Sequence, residues 1–329
     1  MSLDFDSARL ANPYLRSEHQ EWRAQVRRFF DREVIPYAEE WDEEGSIPGT
    51  LWPKAAEVGI LGLGYPERFG GIEQGVDVWH QMILNEELAR IGVGGVSATL
   101  MVHGIALPPL VNYASEALKE EIIPPILKGQ KRISLAVTEP SAGSDVAQLQ
   151  ATARLEGSCY CVNGSKLYIT GGMNANWFTT AVRTGGAGAS GISTLLIPAA
   201  LPGVSRKLLD RKQGWWCSDT ATIYFDNVSV PKENLIGEEN KGFGVIMTNF
   251  NSERLAMSAA MEAFSRVCLE DAAEWSRNRK TFGKRLCDHQ VIRHKIAEMK
   301  QRINATNAYL QVVCAQVAQG FESAGDIAL

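Results

Sequence analysis

The sequence predicts an α+β chain: an N-terminal all-helical domain over residues 1–132, a middle antiparallel β-domain over 133–241, and a C-terminal helical bundle over 242–329 that is incomplete. Two observations carry this. The period of the apolar residues is helical up to about Lys128, becomes two around Ile133, and turns helical again after Gly244. The chain has 329 residues, 45% hydrophobic and 22% charged, enough to bury more than one core.

In the first stretch, Trp22, Val26, Phe29, Phe30 and Val34 recur at helical spacing, and Pro36 should bend or end that helix before Glu44. Glu86, Glu87 and Leu88 lie in another helix. Ser115 opens a third, with Glu116 and Glu120 favouring its first turns. The segment Tyr65 to Gly71 interrupts the helices with turn residues. From Ile133 the β-favouring runs ISLAVT, CYCV, KLYIT, WFTTAV, ISTLLI and ATIYF alternate with glycine, proline and asparagine. Asn163-Gly164, between CYCV and SKLYIT, predicts a hairpin turn. Gly185 to Gly191 reads as a flexible turn rather than a phosphate loop, because no helical pattern follows it. After Gly244 two long stripes predict an antiparallel helix pair, half of a bundle. One runs through Phe243, Met247, Phe250, Arg254, Met257, Met261, Phe264 and Cys268, the other through Ile292, Ile296, Met299, Ile303, Thr306, Leu310, Val313 and Val317. A loop is expected at Gly320 to Gly325, with the other half of the bundle lying beyond Leu329.

The net charge of −5, from 33 basic and 38 acidic residues spread along the chain, gives no global field to attract nucleic acid or an anionic membrane. An anionic ligand therefore needs a local site. No apolar run is long enough to cross a bilayer, and Met1 to Arg16 lacks the pattern of a secretory signal, so a cytoplasmic location is expected. The six cysteines form no CxxC pair and the five histidines show no metal-ligand spacing, so no metal is expected.

Five motifs then occur in order: YPERFGG (Tyr65 to Gly71), LAVTEPSAGSD (Leu135 to Asp145), NGSKLYIT (Asn163 to Thr170), DNVSVPKENLIG (Asp226 to Gly237) and RKTFGK (Arg279 to Lys284). With the helical, β and helical order, they make the chain resemble the acyl-CoA dehydrogenase family along nearly its whole length. The resemblance implies an FAD-dependent enzyme that converts acyl-CoA thioesters to trans-2-enoyl-CoA. It implies an electron-transfer flavoprotein as acceptor and a homo-oligomer built as a dimer of dimers. Acyl-CoA oxidases and other flavin oxidases or monooxygenases share the scaffold, and a flavin- or CoA-binding form without activity is a further alternative.

VTEPSAGSD suits a flavin loop, since small residues let the main chain approach a flat ring and a pyrophosphate while hydroxyls and amides offer hydrogen bonds; a tight turn ending a strand is the plainer account. By the resemblance Leu135, Val137, Thr138, Gly143 and Ser144 meet the cofactor, and Ser144 also meets the pantetheine arm of the substrate. Tyr168 and Thr170 stand where the family places a tryptophan and a threonine against the flavin, and Ile169 between them is assigned to the cofactor with them. Tyr168 keeps an aromatic face there, although a strand aromatic can equally pack in a core. Arg277, Arg279, Lys280, Lys284 and Arg285 form a cationic run of a kind usually found on solvated surface. The resemblance makes it the arm that reaches a neighbouring subunit's FAD, through Arg279, Thr281, Phe282, His289 and Gln290.

The reaction implied needs a carboxylate base shielded from water, because desolvation raises a glutamate pKa toward neutrality. The family places that glutamate either near the C-terminus, in a segment beyond Leu329, or in a Glu-Arg pair on the first bundle helix, as in isovaleryl- and long-chain types. Asn251-Ser252-Glu253-Arg254-Leu255 matches the second arrangement. Glu253 also lies three residues from Phe250 and four from Met257, at the border of the apolar stripe. The competing account is a structural ion pair with another helix, Arg254 being turned about 100° away on the same helix. The resemblance brings Arg254 close to the substrate arm and Asn251 to a position that contacts CoA.

Overall fold

The structure, a computed structural model, describes residues 3–248, 250–321, 325 and 327. The N-terminal helices are α1 (Ser17–Glu33), α2 (Ala38–Glu44), α3 (Leu51–Glu57), α4 (Val78–Arg90), α5 (Gly94–Leu100), α6 (His103–Ala106), α7 (Pro108–Tyr113) and α8 (Glu116–Leu127). Pro36 does end the first helical run: α1 stops at Glu33 and a 3-10 turn, Ile35–Tyr37, leads into α2. Ser115 caps α8, its side chain accepting the Leu118 N–H. The strands are β1 (Ile133–Ala136), β2 (Thr152–Glu156), β3 (Cys159–Thr170), β4 (Trp177–Arg183), β5 (Ile192–Pro198), β6 (Val204–Leu208), β7 (Thr220–Pro231) and β8 (Leu235–Ile236). Then come α9 (Gly242–Met247), α10 (Phe250–Asn278), the short strands β9 (Lys280–Thr281) and β10 (Lys284–Arg285), and α11 (Gln290–Ala318).

The chain falls into two compact units, one of Pro36–Gln74 with Val93–Phe250, the other of Met1–Ile35, Gly75–Gly92 and Asn251–Leu329. The first is built on an eight-stranded sheet ordered β6-β7-β3-β2-β4-β5-β8, with β1 beside β4. Most pairs are antiparallel, but β1 and β2 both run parallel to β4. One face packs Tyr160, Val162, Phe178, Ile197, Ile223, Phe225 and Val228 into a core. Around Leu107, Leu110, Ile122 and Ile126 a second core joins α6 to α8 with Ile133, Leu196 and Ile236 of the sheet.

Asn163-Gly164 is not the hairpin turn its sequence predicts. It lies inside β3, and the hairpin is closed instead at Glu156 and Cys159, across Gly157 and Ser158. The register between β3 and β7 shifts between Val162 and Gly164, with the extra residue on β7. Asn227, at φ +52°, takes up that bulge, and its main-chain N–H donates to Asn163 Oδ1 at 2.8 Å. Gly164 adopts φ +141°, and a Cβ there would come 2.7 Å from Ala151. Asparagine and glycine are needed here for a bulge and a close approach, the same freedoms a turn uses.

In the second unit α10 and α11 run antiparallel: Leu255 and Ala259 share a cluster with Leu310 and Cys314, whereas Leu269, further along α10, meets Ile303. The second predicted stripe largely matches the face α11 buries, with Ile303, Leu310 and Val313 buried and Ile296, Met299 and Val317 packed beside them, whereas the first is offset. The first is split, since α9 ends at Met247 and α10 begins at Phe250. On α10 the buried positions are Leu255, Ala259, Glu262, Ala263, Arg266, Leu269, Ala273 and Ser276, while Met257 and Met261 are 56% and 46% exposed. On α11 Asn307 is buried and Thr306 exposed. Counting large apolar residues misses a face made of alanine and an internal ion pair, Arg266 Nε to Glu262 at 3.0 Å. Glu86 and Glu87 of α4 sit in the same unit among Arg9, Arg23, Arg27, Arg90 and Arg266. The loop expected at Gly320 to Gly325 lies mostly outside the described residues.

His19, Asp77 and His80 gather their ring nitrogens and carboxylate within 4.8 Å, a grouping that positions 19 and 77 hide in the sequence. The Arg16 main-chain N–H donates to His19 Nδ1 at 2.9 Å, which leaves the ring proton on Nε2, facing Asp77 at 3.1 Å. Asp77 accepts the N–H groups of Trp79 and His80 at the start of α4. The group caps two helices, and its hydrogen bonds occupy the atoms a metal would need.

Candidate active site

The Val137–Asp145 loop leaves the end of β1 and folds back on itself. Glu139 and Ala142 exchange two main-chain hydrogen bonds, 2.9 and 3.1 Å, across Pro140-Ser141. Val137 and Ala142 turn their side chains into a core with Leu149, Ala181, Ile192 and Ile246. Val137 therefore offers its main chain to a ligand rather than its side chain, and Leu135 is half-buried behind it. Thr138 is half-buried, and Gly143, Ser144 and Asp145 stand exposed at the crest. A Cβ on Gly143 would meet no atom within 4 Å, so the crest is open.

Beside the loop, β3 carries a second bulge. The register against β7 passes from Lys166 opposite Ile223 to Ile169 opposite Ala221, leaving one extra residue on β3. The Leu167 N–H donates to the Thr138 carbonyl at 2.8 Å, tying the bulge to the loop. Tyr168 is forced to φ +59° and its ring is 60% exposed. A bulky residue at positive φ is strained, and an exposed ring gains nothing from packing, so both costs stand together here. Ile169 is 2% exposed, packs in the sheet core opposite Ala221 and accepts the Gly172 N–H, so it is not placed to meet a cofactor, while Thr170 is half-buried.

Lys166 and Glu139, which the sequence reading passed over although both lie inside its motifs, form a buried ion pair at 2.7 Å. For Lys166 the signal was a charge at a core-facing position of a strand, in step with Val162; Glu139, in the loop, carried none. Burial pushes the Lys166 ammonium down to about 8, against the opposing pull of Glu139.

On the other unit, Glu253 lies in the first turn of α10 and is half-buried. No hydrogen bond or ion pair reaches its carboxylate among the described residues. Burial raises its pKa above 4.5, with the neighbouring Arg254 charge pulling the other way. The structural ion pair that competes with a base is thus not found among the described residues. Arg254 is exposed and Asn251 half-buried.

RKTFGK is a two-residue hairpin: Thr281 pairs with Lys284, and Phe282 and Gly283 at its tip have φ +52° and +77°. Two positive φ values in succession fit the twist of a β-hairpin, for which Phe-Gly is an unusual signal. Phe282 is 95% exposed. Thr281 Oγ1 lies 3.4 Å from Nε2 of His289, the residue before α11, and Gln290 opens that helix. Arg279 is exposed with no ion pair among the described residues.

Comparison with known proteins agrees with this build. The N-terminal, middle and C-terminal domain families of acyl-CoA dehydrogenase match residues 16–130, 134–228 and 240–329. An acyl-CoA dehydrogenase of Alternaria alternata is 38% identical over 306 residues, 89% of this chain and 71% of that protein. The mitochondrial long-chain specific acyl-CoA dehydrogenase of Sus scrofa is 36% identical over 301 residues, covering 89% and 68%. The crystal structure of a probable acyl-CoA dehydrogenase from Mycobacterium abscessus superposes with a TM-score of 0.91 at 42% identity, over 95% of this chain and 83% of that one. The chain belongs to the acyl-CoA dehydrogenase family, whose members are FAD-dependent oxidoreductases.

The residues present fit FAD. Its flat ring asks for an exposed aromatic or main-chain wall, which Tyr168 and the loop offer, and its polar edges and phosphates ask for hydroxyls and open main chain, offered at Thr138, Gly143 and Ser144.

Proposed function

We propose that this chain oxidises a saturated acyl-CoA to the trans-2-enoyl-CoA, with Glu253 as the base. The observation that carries this is a half-buried carboxylate with no partner among the described residues, its pKa raised by burial. Burial makes such a carboxylate a stronger proton acceptor than an ordinary glutamate, and no structural contact among the described residues competes for it. Glu253 accepts the proton from the carbon next to the thioester carbonyl. FAD supplies the acceptor for the hydride leaving the next carbon. Thr138, Gly143, Ser144 and Tyr168 hold the flavin, and Ser144, Asn251 and Arg254 hold the substrate arm. Arg279, Thr281, Phe282, His289 and Gln290 reach the cofactor of a second subunit, in a dimer of dimers. An exposed Phe282, and an Arg279 with no ion pair among the described residues, support a partner at that hairpin.

The acyl group is long or 3-methyl-branched, by the Glu253 position and by likeness to a long-chain specific enzyme. The test is anaerobic reduction of the purified, FAD-loaded protein by a panel of straight and branched acyl-CoAs, followed by turnover with a dye. Bleaching of the flavin by long or 3-methyl-branched substrates, with dye turnover and no peroxide, is expected and fits an electron-transfer flavoprotein as the acceptor. Bleaching by short straight chains alone overturns the substrate class, and peroxide in air makes the chain an oxidase.

A further inference from the structure

We propose that Lys166 and Glu139 are a positioning pair that locks the Val137–Asp145 loop to the bulge carrying Tyr168, so that both surfaces offered to the flavin are held as one piece. The inference rests on the assignment of that loop to FAD.

Lys166 is fully buried, immediately before the bulge. Its Nζ donates to the Val137 carbonyl at 3.0 Å and to Glu139 Oε1 at 2.7 Å, gripping the start of the loop twice. The Glu139 carboxylate accepts the main-chain N–H groups of Gln150 and Ala151, at 2.6 and 3.0 Å, where the chain returns from the loop toward β2. One ion pair thus holds both ends of the loop, and the Leu167 N–H to Thr138 bond closes the gap between them. An apolar pair would satisfy neither the Val137 carbonyl nor the two N–H groups. What the charged pair adds is a fixed position for the main chain that Val137 and Thr138 present.

The test is the double variant Lys166→Met/Glu139→Gln, which leaves no lone buried charge, alongside Tyr168→Ala and Val228→Ala, the last a cut in the same sheet core. Apoprotein of each is titrated with FAD by flavin fluorescence, and the visible band of the bound flavin and the thermal unfolding curve are recorded. The double variant should unfold cooperatively yet bind FAD roughly tenfold or more weakly, with a shifted flavin band, as expected when a pre-organised site is loosened. Val228→Ala should lower Tm without moving the band. An unchanged FAD affinity and band in the double variant, while Tyr168→Ala shifts the band, overturns the positioning role and leaves the loop assignment standing. A flavin band unmoved by either variant overturns the loop assignment and the inference with it. Failure of the double variant to fold makes the pair an element of the sheet itself and also overturns the inference.

Discussion

Replacing Glu253 by glutamine separates a base from a structural carboxylate, because the two roles predict opposite changes in stability. As a general base Glu253 contributes roughly 10²- to 10⁴-fold to the chemical step, so Glu253→Gln should lose that much kcat while retaining FAD and acyl-CoA binding. Stability follows from the environment: the carboxylate is half-buried, without a partner among the described residues, and its folded pKa lies above 4.5. A raised carboxyl pKa means the folded state binds the proton more tightly than the unfolded one. Below about pH 4 both states are protonated and ionisation costs folding nothing. The penalty grows as pH rises through the unfolded value and is complete above the folded one. At pH 7 the glutamine variant, spared that penalty, should match the wild type or exceed it by up to about 1 kcal/mol, and the difference should vanish in acid. A carboxylate engaged in a buried ion pair would instead lose about 3–5 kcal/mol on the same change, a fall in Tm on the order of 10 °C. The assay is single-turnover flavin reduction by acyl-CoA, with calorimetry at neutral and acidic pH. Wild-type reduction should slow as pH falls through the raised pKa of Glu253. Full activity in the variant, or a large loss of Tm at pH 7, would refute the reasoning.

Two further outcomes follow from burial. Glu87 accepts from Arg27 at 2.7 and 2.9 Å, from Arg23 at 3.0 Å and from Arg90 at 2.9 Å, so Glu87→Gln should cost about 3–5 kcal/mol in urea unfolding. Burial opposes its charge but the arginines win and hold its pKa below 4.5, so the gap should narrow as pH falls through the depressed value; a loss under about 1 kcal/mol would show the pairs to be marginal. Burial pushes the Cys217 and Cys314 thiols up to about 12, while Cys268 is exposed, so a thiol reagent at about pH 8 should label Cys268 quickly and the other two only on unfolding. Rapid native labelling of Cys217 or Cys314 would contradict their burial.

The order of helices, sheet and helices was legible because period is a local property. Pro36 and Ser115 mark boundaries by what they do to their own backbone, whatever the rest of the chain does. What escaped depends on pairing across the chain. Asn163-Gly164 has the composition of a turn, and only the extra residue on β7 decides that it serves a bulge. Between Leu255 and Leu269 the buried face of α10 is Ala259, Ala263 and the Glu262–Arg266 pair, so Met257 and Met261 mark a different face. Lys166 and Glu139 are 27 residues apart, so even where the strand pattern marks Lys166 as core-facing, its partner is set only by the fold.

Local strain separates two exposed aromatic residues with little to pack against from one that is accounted for by packing. Tyr168, Phe282 and Trp215 all hold positive φ, and all are more than half exposed. For Trp215 the conformation has a local return: its indole edge fills the place of the side chain Gly94 lacks, where a Cβ would come 2.3 Å from Nε1. Its carbonyl also accepts from Lys212 Nζ at 2.7 Å and from the Ser218 N–H at 3.1 Å. Phe282 makes one ring contact, 6.4 Å from His289, and Tyr168 shows no ring contact among the described residues. A strained and exposed aromatic with little to pack against is unfavourable on both counts, so it persists where something outside the chain supplies the contact. Both residues lie in motifs read from the sequence as flavin contacts. The strain was not visible in the sequence, and it singles out the same two side chains.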